Sequence, residues 1–158
     1  MSNVVQSIAD ALLARHQTLA TAESCTGGLV GAALTNLPGS SAWYLGGVIA
    51  YSNPLKGSLL GVPNELLATH GAVSAETAQA MADGVRAATG ADFSIALTGI
   101  AGPGGGTPQK PVGLVYIAVA CPDRTQAFEH HFAGDRSRIR TAASDAALAH
   151  LLAEIHRN

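Results

Sequence analysis

Val4, Val5, Ile8, Leu12 and Leu13 recur at the three- and four-residue spacing of one helix face, which predicts an opening helix. "TLATAE" then reads as a short strand. "GGLVGAALTNL" reads as a helix closed by Pro38-Gly39, and the apolar, β-branched "GGVIAYS" as a second strand that stops at Ser52-Asn53-Pro54. Short helical pieces are expected over residues 55–60 and 64–69. Ser74 is a good N-cap for "AETAQAMADGVRAAT", and Gly90 is placed to stop that helix. "DFSIALTG" alternates Phe93, Ile95 and Leu97, a strand pattern that runs out at Thr98-Gly99. "VGLVYIAVA" and "TQAFEHHF" look like two arms of an antiparallel hairpin turning at Pro122-Asp123. A last helix begins near Asp135 with Ile139, Ala143, Leu148, Leu151, Leu152 and Ile155 inward.

Helices before, between and after strands imply an α/β fold. The expected architecture is a three-layer α/β/α sandwich around a mixed β-sheet, as one domain over residues 1–158. The low-complexity stretch "GIAGPGGGTPQKPVG" directly follows a strand, at the sheet edge where α/β proteins place ligands.

Composition narrows the function classes. With 47% hydrophobic and 13% charged residues, the chain is a globular α/β sequence and not a disordered one. A formal charge of −2 argues against a grip on nucleic acid, which needs a basic surface. No apolar run reaches the roughly 18 residues of a membrane span, and the amino-terminal stretch carries no basic signal region. Two cysteines, Cys25 and Cys121, are too few for a disulfide framework, so the expected setting is reduced and cytoplasmic.

The candidate chemistry centres on "TAESCTGGLVGAAL". Ser24, Cys25 and Thr26 stand where a strand turns into a helix, followed by Gly27 and Gly28. The glycines match neither the dinucleotide nor the phosphate-loop pattern. They serve either a tight turn or a set of open backbone N–H groups that hold an anion or oxyanion. Ser24 is either an N-cap or a nucleophile, and Cys25 either a small buried hydrophobe or a thiol of function. An active serine needs a base. The histidines are poorly placed for that: His16, His70, His150 and His156 sit at helix ends or on helix faces, and "EHH" does not match zinc spacing. A lysine base is the live option, and only Lys56 and Lys110 exist. Lys56 is either a solvated surface residue or, among apolar and small neighbours, a desolvated amine.

Several longer motifs carry a resemblance. "AESCTGG", "PGSS", "GGVIAYSNPLK", "LLGV", "HGAVS", "MADG", "LTGIAGPGGG", "KPVG" and "FAGDRSRIR" occur in the order found in the CinA C-terminal domain family, from about Thr18 to Leu152. The chain resembles the stand-alone form, without the amino-terminal domain of longer members. That resemblance implies hydrolysis of the carboxamide of nicotinamide mononucleotide (NMN) to nicotinate mononucleotide and ammonia, in pyridine-nucleotide salvage, with no cofactor and no metal. It implies Ser24 as nucleophile, Lys56 as general base, and Tyr51, Thr98 and Arg140 as further site residues. Backbone N–H groups over Cys25, Thr26, Gly27 and Gly28 are expected at the oxyanion. The loop residues Gly99, Ala101 and Gly102, with the glycines up to Gly106, are expected over the substrate. Arg140 or Arg136 would meet its phosphate, with Arg140 favoured.

Two other readings compete. One is a non-catalytic accessory protein associated with competence or DNA damage; the charge balance disfavours DNA contact. The other, nucleotide pyrophosphohydrolysis, would need metal-binding carboxylates, and the acids are scattered. The small-residue apolar surface suggests a homodimer or larger homo-oligomer.

Overall fold

A computed structural model describes residues 2–158. The first helix, α1 (Ser2–Ala14), leads into β1 (Leu19–Glu23). Then follow α2 (Leu29–Thr35), one 3-10 turn (Ser40–Ala42), β2 (Tyr44–Ile49), α3 (Asn53–Leu60), α4 (Asn64–His70) and α5 (Ala75–Thr89). The chain closes with β3 (Phe93–Gly99), β4 (Leu114–Ala120), β5 (Thr125–His131) and α6 (Arg136–Arg157). The strands form one mixed sheet in the order β2-β1-β3-β4-β5. β1 runs parallel to both β2 and β3, whereas β3–β4 and β4–β5 are antiparallel. Helices cover both faces, so the expected α/β/α sandwich is the fold.

The two faces are built from different side chains. Leu19, Phe93, Ile95, Leu97, Val115, Ile117 and Val119 point toward the layer of α1, α2 and α6. Ala20, Ala22, Ala96, Ala118 and Ala120 point toward α3, α4 and α5. All residues of β1 are buried, because neither face meets water, and alternation survives only as large against small. The alanine face lets α5 press close, where Ser94 Oγ donates to the Ala82 carbonyl at 2.7 Å. Ser74 caps α5 by accepting from Thr77 N–H at 3.1 Å, and Gly90 ends it in the left-handed conformation.

Some boundaries move. β2 begins at Tyr44 and ends at Ile49, so Gly46 lies inside it and Ala50–Ser52 belong to the following connection. The reason is register: β2 is an edge strand, paired only along Leu19–Glu23 of β1. α2 starts at Leu29, because Gly27 and Gly28 take positive φ of 60° and 103° in the turn before it. Leu13, expected inward, is 45% exposed; the buried face of α1 runs through Val5, Ile8, Ala9 and Leu12, and Leu13 falls a further 100° or so round the helix. Leu152 is only half-buried.

Topology places a crevice. The β1–α2–β2 connection leaves on one face of the sheet. The long β2-to-β3 connection crosses the other face and returns on the far side of β1. Strand order therefore switches at β1, and the carboxyl ends of β1, β2 and β3 open together, as at ligand sites of other α/β sheets.

One consequence of the close α5 packing is testable. Gly84 lies against the backbone of Leu60, with no room for a Cβ. On a solvated helix Gly→Ala stabilises by roughly 0.5–1 kcal/mol. Here the sign reverses: Gly84→Ala is expected to destabilise by about 1–3 kcal/mol. Urea unfolding of the two proteins measures it, and a rise in the midpoint would refute the packing account.

Candidate active site

Ser24 is the first residue beyond β1. Its N–H donates to the Leu97 carbonyl at 3.0 Å, one rung past the β1–β3 pairing, so the sheet itself sets its backbone. Ala50 N–H donates to the Glu23 carbonyl at 2.9 Å, tying the connection after β2 to the same point. From there the chain enters α3, with Pro54 in its first turn, and Lys56 points back under the sheet edge. Lys56 is 1% exposed, an unusual place for a lysine.

The Lys56 amine lies 3.1 Å from Ser24 Oγ, 3.0 Å from the Ala50 carbonyl and 3.4 Å from the Tyr51 carbonyl. Among the described residues no carboxylate pairs with it. Burial pushes its pKa below the ordinary 10.5, opposed only by the neighbouring Cys25. A neutral amine has two N–H bonds and one lone pair. With the two carbonyls accepting the N–H bonds, the lone pair is left to accept from the Ser24 hydroxyl. In that form Lys56 could take a proton from Ser24 across the 3.1 Å contact.

Cys25 is in a different state. Burial, first, pushes its thiol up to about 11, with the Glu23 carboxylate adding to the effect. A thiol so protonated is a poor nucleophile near neutral pH. Of the three nucleophile-capable side chains, Ser24 is the one in contact with a base; Thr26 is wholly buried and its Oγ1 has no partner among the described residues.

The remaining predicted residues divide into two groups. Tyr51, Thr98, Gly99, Ala101, Gly102 and the loop glycines Gly104 and Gly105 line one cleft with Ser24, Cys25 and Lys56, of about 280 Å³. Thr98 Oγ1 donates to the Ala72 carbonyl at 2.7 Å, closing the floor. Thr26, Gly27 and Gly28 do not line it, and the expected row of open N–H groups is shorter than read from the sequence. Gly27 N–H donates to the Ser24 carbonyl at 3.1 Å and Gly28 N–H to Glu23 Oε2 at 2.9 Å. The N–H groups of Cys25 and Thr26 make no backbone–backbone hydrogen bond among the described residues.

Arg140 is also placed differently. Its guanidinium lies behind the turn, donating to the Cys25 carbonyl at 3.1 Å and the Thr26 carbonyl at 2.7 Å. In a trans peptide the N–H points opposite to the C=O, so holding the Cys25 carbonyl aims the Thr26 N–H away from Arg140. Arg136, instead, lines the cleft: its Nη1 donates to the Gly102 carbonyl at 2.8 Å and its Nη2 to the Tyr51 hydroxyl at 2.9 Å. It bridges the glycine-rich loop and the connection after β2. Among the described residues Arg136 pairs with no carboxylate, and the adjacent Asp135 accepts from Arg138 N–H at the start of α6.

Two polar residues at this site escaped the sequence reading, besides the apolar lining of Ala72, Val73 and Ile100. Asn53 lines the cleft from the first turn of α3. Glu23, 2% exposed, accepts N–H bonds from Gly28 (2.9 Å), Val30 (3.2 Å) and Gly31 (2.9 Å). The signal was an acid at the end of an otherwise apolar strand, directly before the candidate nucleophile. The histidines stay outside: His130 and His150 contact each other at 2.8 Å between β5 and α6. Among the described residues no three of His, Cys, Asp and Glu are gathered as metal ligands.

Comparison with known proteins places these residues in context. The CinA C-terminal domain profile matches residues 1–155. A CinA-like protein from Parasynechococcus marenigrum is 59% identical over 84% of this chain, and one from Acidobacterium capsulatum is 53% identical over 85%. The chain spans about a third of the length of these curated relatives, 32% of each. Solved structures are similar over nearly their whole length. A competence/damage-inducible protein from Agrobacterium tumefaciens is 42% identical, with a TM-score of 0.93 over 96% of this chain and 93% of that one. A competence damage-inducible protein from Klebsiella pneumoniae is 40% identical, with a TM-score of 0.94 over 98% and 96%.

A buried lysine with a lowered pKa has a stability signature. The unfolded chain binds that proton more tightly than the folded one. Lys56 therefore destabilises the fold fully below its folded pKa, and the penalty fades as pH rises toward 10.5. Lys56→Met should accordingly be more stable than the wild type at pH 6, with the gap narrowing as pH rises toward 10.5. Paired urea melts across that range read it. A gap that widens with pH would mean Lys56 is favourably charged in the fold.

Proposed function

The chain belongs to the CinA C-terminal domain family, and on that footing we propose that it is a serine amidohydrolase that converts NMN and water to nicotinate mononucleotide and ammonia. The observation that carries this reading is the 3.1 Å contact between Ser24 Oγ and the buried, uncompensated amine of Lys56. Ser24 attacks the carboxamide carbon as Lys56 takes its proton. Of the turn residues expected at the oxyanion, Cys25 lines the cleft beside Ser24, and its N–H is the donor that would meet the negative charge developing on the amide oxygen. Lys56, now an ammonium hydrogen-bonded by the Ala50 and Tyr51 carbonyls, returns the proton to the leaving nitrogen, and ammonia departs. Water, deprotonated in turn by Lys56, cleaves the acyl ester and frees Ser24.

The rest of the cleft suits a pyridine nucleotide. Among the described residues no carboxylate lines it, so nothing there repels the phosphate of a nucleotide, and the pyridinium charge would help keep Lys56 neutral. Arg136, at the mouth, is the cation available to a phosphate. Binding energy from that remote group would orient a small amide against Ser24.

Incubating the protein with NMN and following ammonia and nicotinate mononucleotide tests the activity. Ser24→Ala should lose at least about a thousandfold in kcat, while Cys25→Ala retains most of it. A reversal of that order would make this a cysteine amidase, and no ammonia from the wild type would discard the reading.

The two arginines should separate by substrate. Arg136→Ala is expected to cost about ten- to a hundredfold in kcat/KM on NMN, the worth of a charge-assisted contact, and much less on nicotinamide riboside, which has no phosphate. Arg140→Ala should cost both substrates equally, because Arg140 supports the nucleophile turn. An Arg140→Ala loss confined to NMN would return the phosphate to Arg140.

A further inference from the structure

Glu23 joins both members of the Ser24–Lys56 pair, yet it does not line the cleft and takes no part in the steps above. Three connections run through it. Its side chain gathers the N–H groups of Gly28, Val30 and Gly31, closing the turn that starts at Ser24. Its carbonyl accepts from Ala50 N–H, and the Ala50 carbonyl in turn accepts from the Lys56 amine at 3.0 Å. Its Cα is paired between Ile49 of β2 and Leu97 of β3, the last position of both parallel ladders.

We propose that Glu23 is a positioning residue: its buried carboxylate and carbonyl together hold Ser24 Oγ and the Lys56 amine at reacting distance. This rests on the amidohydrolase reading of the same site. A carboxylate suits the task because both oxygens only accept. Oε2 takes two N–H groups and Oε1 takes the third, so no other neutral or amide group of this size satisfies all three. Arg140 works from the opposite side of the turn, on the carbonyls of Cys25 and Thr26. The segment from the end of β1 into the first turn of α2 is thus gripped at N–H groups of Gly28, Val30 and Gly31 by an anion and at the Cys25 and Thr26 carbonyls by a cation. A glycine-containing turn would otherwise be among the more mobile segments of the fold.

The test uses Glu23→Gln, which keeps size but sets an NH₂ against a backbone N–H in either amide orientation. Two readouts are taken at a temperature where circular dichroism shows each protein folded. The first is steady-state turnover of NMN. A misplacement of about 1 Å costs on the order of a hundredfold in kcat, while KM, set by contacts elsewhere in the cleft, should change less than about threefold. The second is the rate at which a fluorophosphonate probe labels Ser24, read by mass spectrometry, which needs the serine and its base but no carboxamide substrate. Labelling should slow in parallel with kcat, and Glu23→Asp, which keeps two accepting oxygens, should recover part of both. If Glu23→Gln does not fold, the same two readouts on Glu23→Asp against wild type decide. Wild-type labelling and turnover in the folded variant would overturn the proposal, as would a loss confined to KM. If the wild type releases no ammonia from NMN but Glu23→Gln still labels more slowly, the substrate reading fails and the positioning role stands.

Discussion

The last rungs of the parallel ladder are the constraint on which the cleft depends. β1 ends between two neighbours that run the same way, so the chain must leave the sheet at Ser24 while both flanking strands leave beside it. The Ser24–Leu97 and Ala50–Glu23 backbone bonds, at 3.0 and 2.9 Å, each tie the first residue beyond one strand to a residue of the strand beside it. Positioning of the Ser24 and Lys56 side chains therefore costs little beyond the fold itself. Sites mounted on such rigid elements are held more tightly than sites on loops.

Against that economy stands the burial of Lys56. A lysine without a counter-ion in an apolar setting opposes folding, and the surrounding core must offset it. The same desolvation favours the uncharged amine, the form that the proposed reaction requires beside the Ser24 hydroxyl. Stability and reactivity are set here by one burial, with opposite signs.

The sequence made the architecture legible because its periodicities were plain. Phe93, Ile95 and Leu97 alternate, Ser74 and Gly90 bracket α5, and Pro122-Asp123 turns the β4–β5 hairpin. It also brought Ser24, Lys56, Tyr51, Thr98 and the glycine loop to attention, and they share one cleft. What it obscured was direction. Arg136 and Arg140 lie four apart on one helix, and no pattern of spacing tells which guanidinium turns into the cleft and which behind the Cys25–Thr26 carbonyls. Glu23 was hidden for a related reason: a carboxylate in a strand position looks like a surface residue until the α2 N–H groups are seen converging on it.

The unequal faces of the sheet carry a consequence for how this fold can vary. On the side of α1, α2 and α6, large side chains fill the layer, and the characteristic fault there is loss of volume, a shortened residue leaving a void. On the side of α5 the strands present alanine, so there is almost no volume to lose. That side tolerates nothing added, since each extra carbon lifts a whole helix off the sheet. Neutral drift is thus bounded from below on one face and from above on the other, and the helix layer bounded from above is the one that carries Lys56.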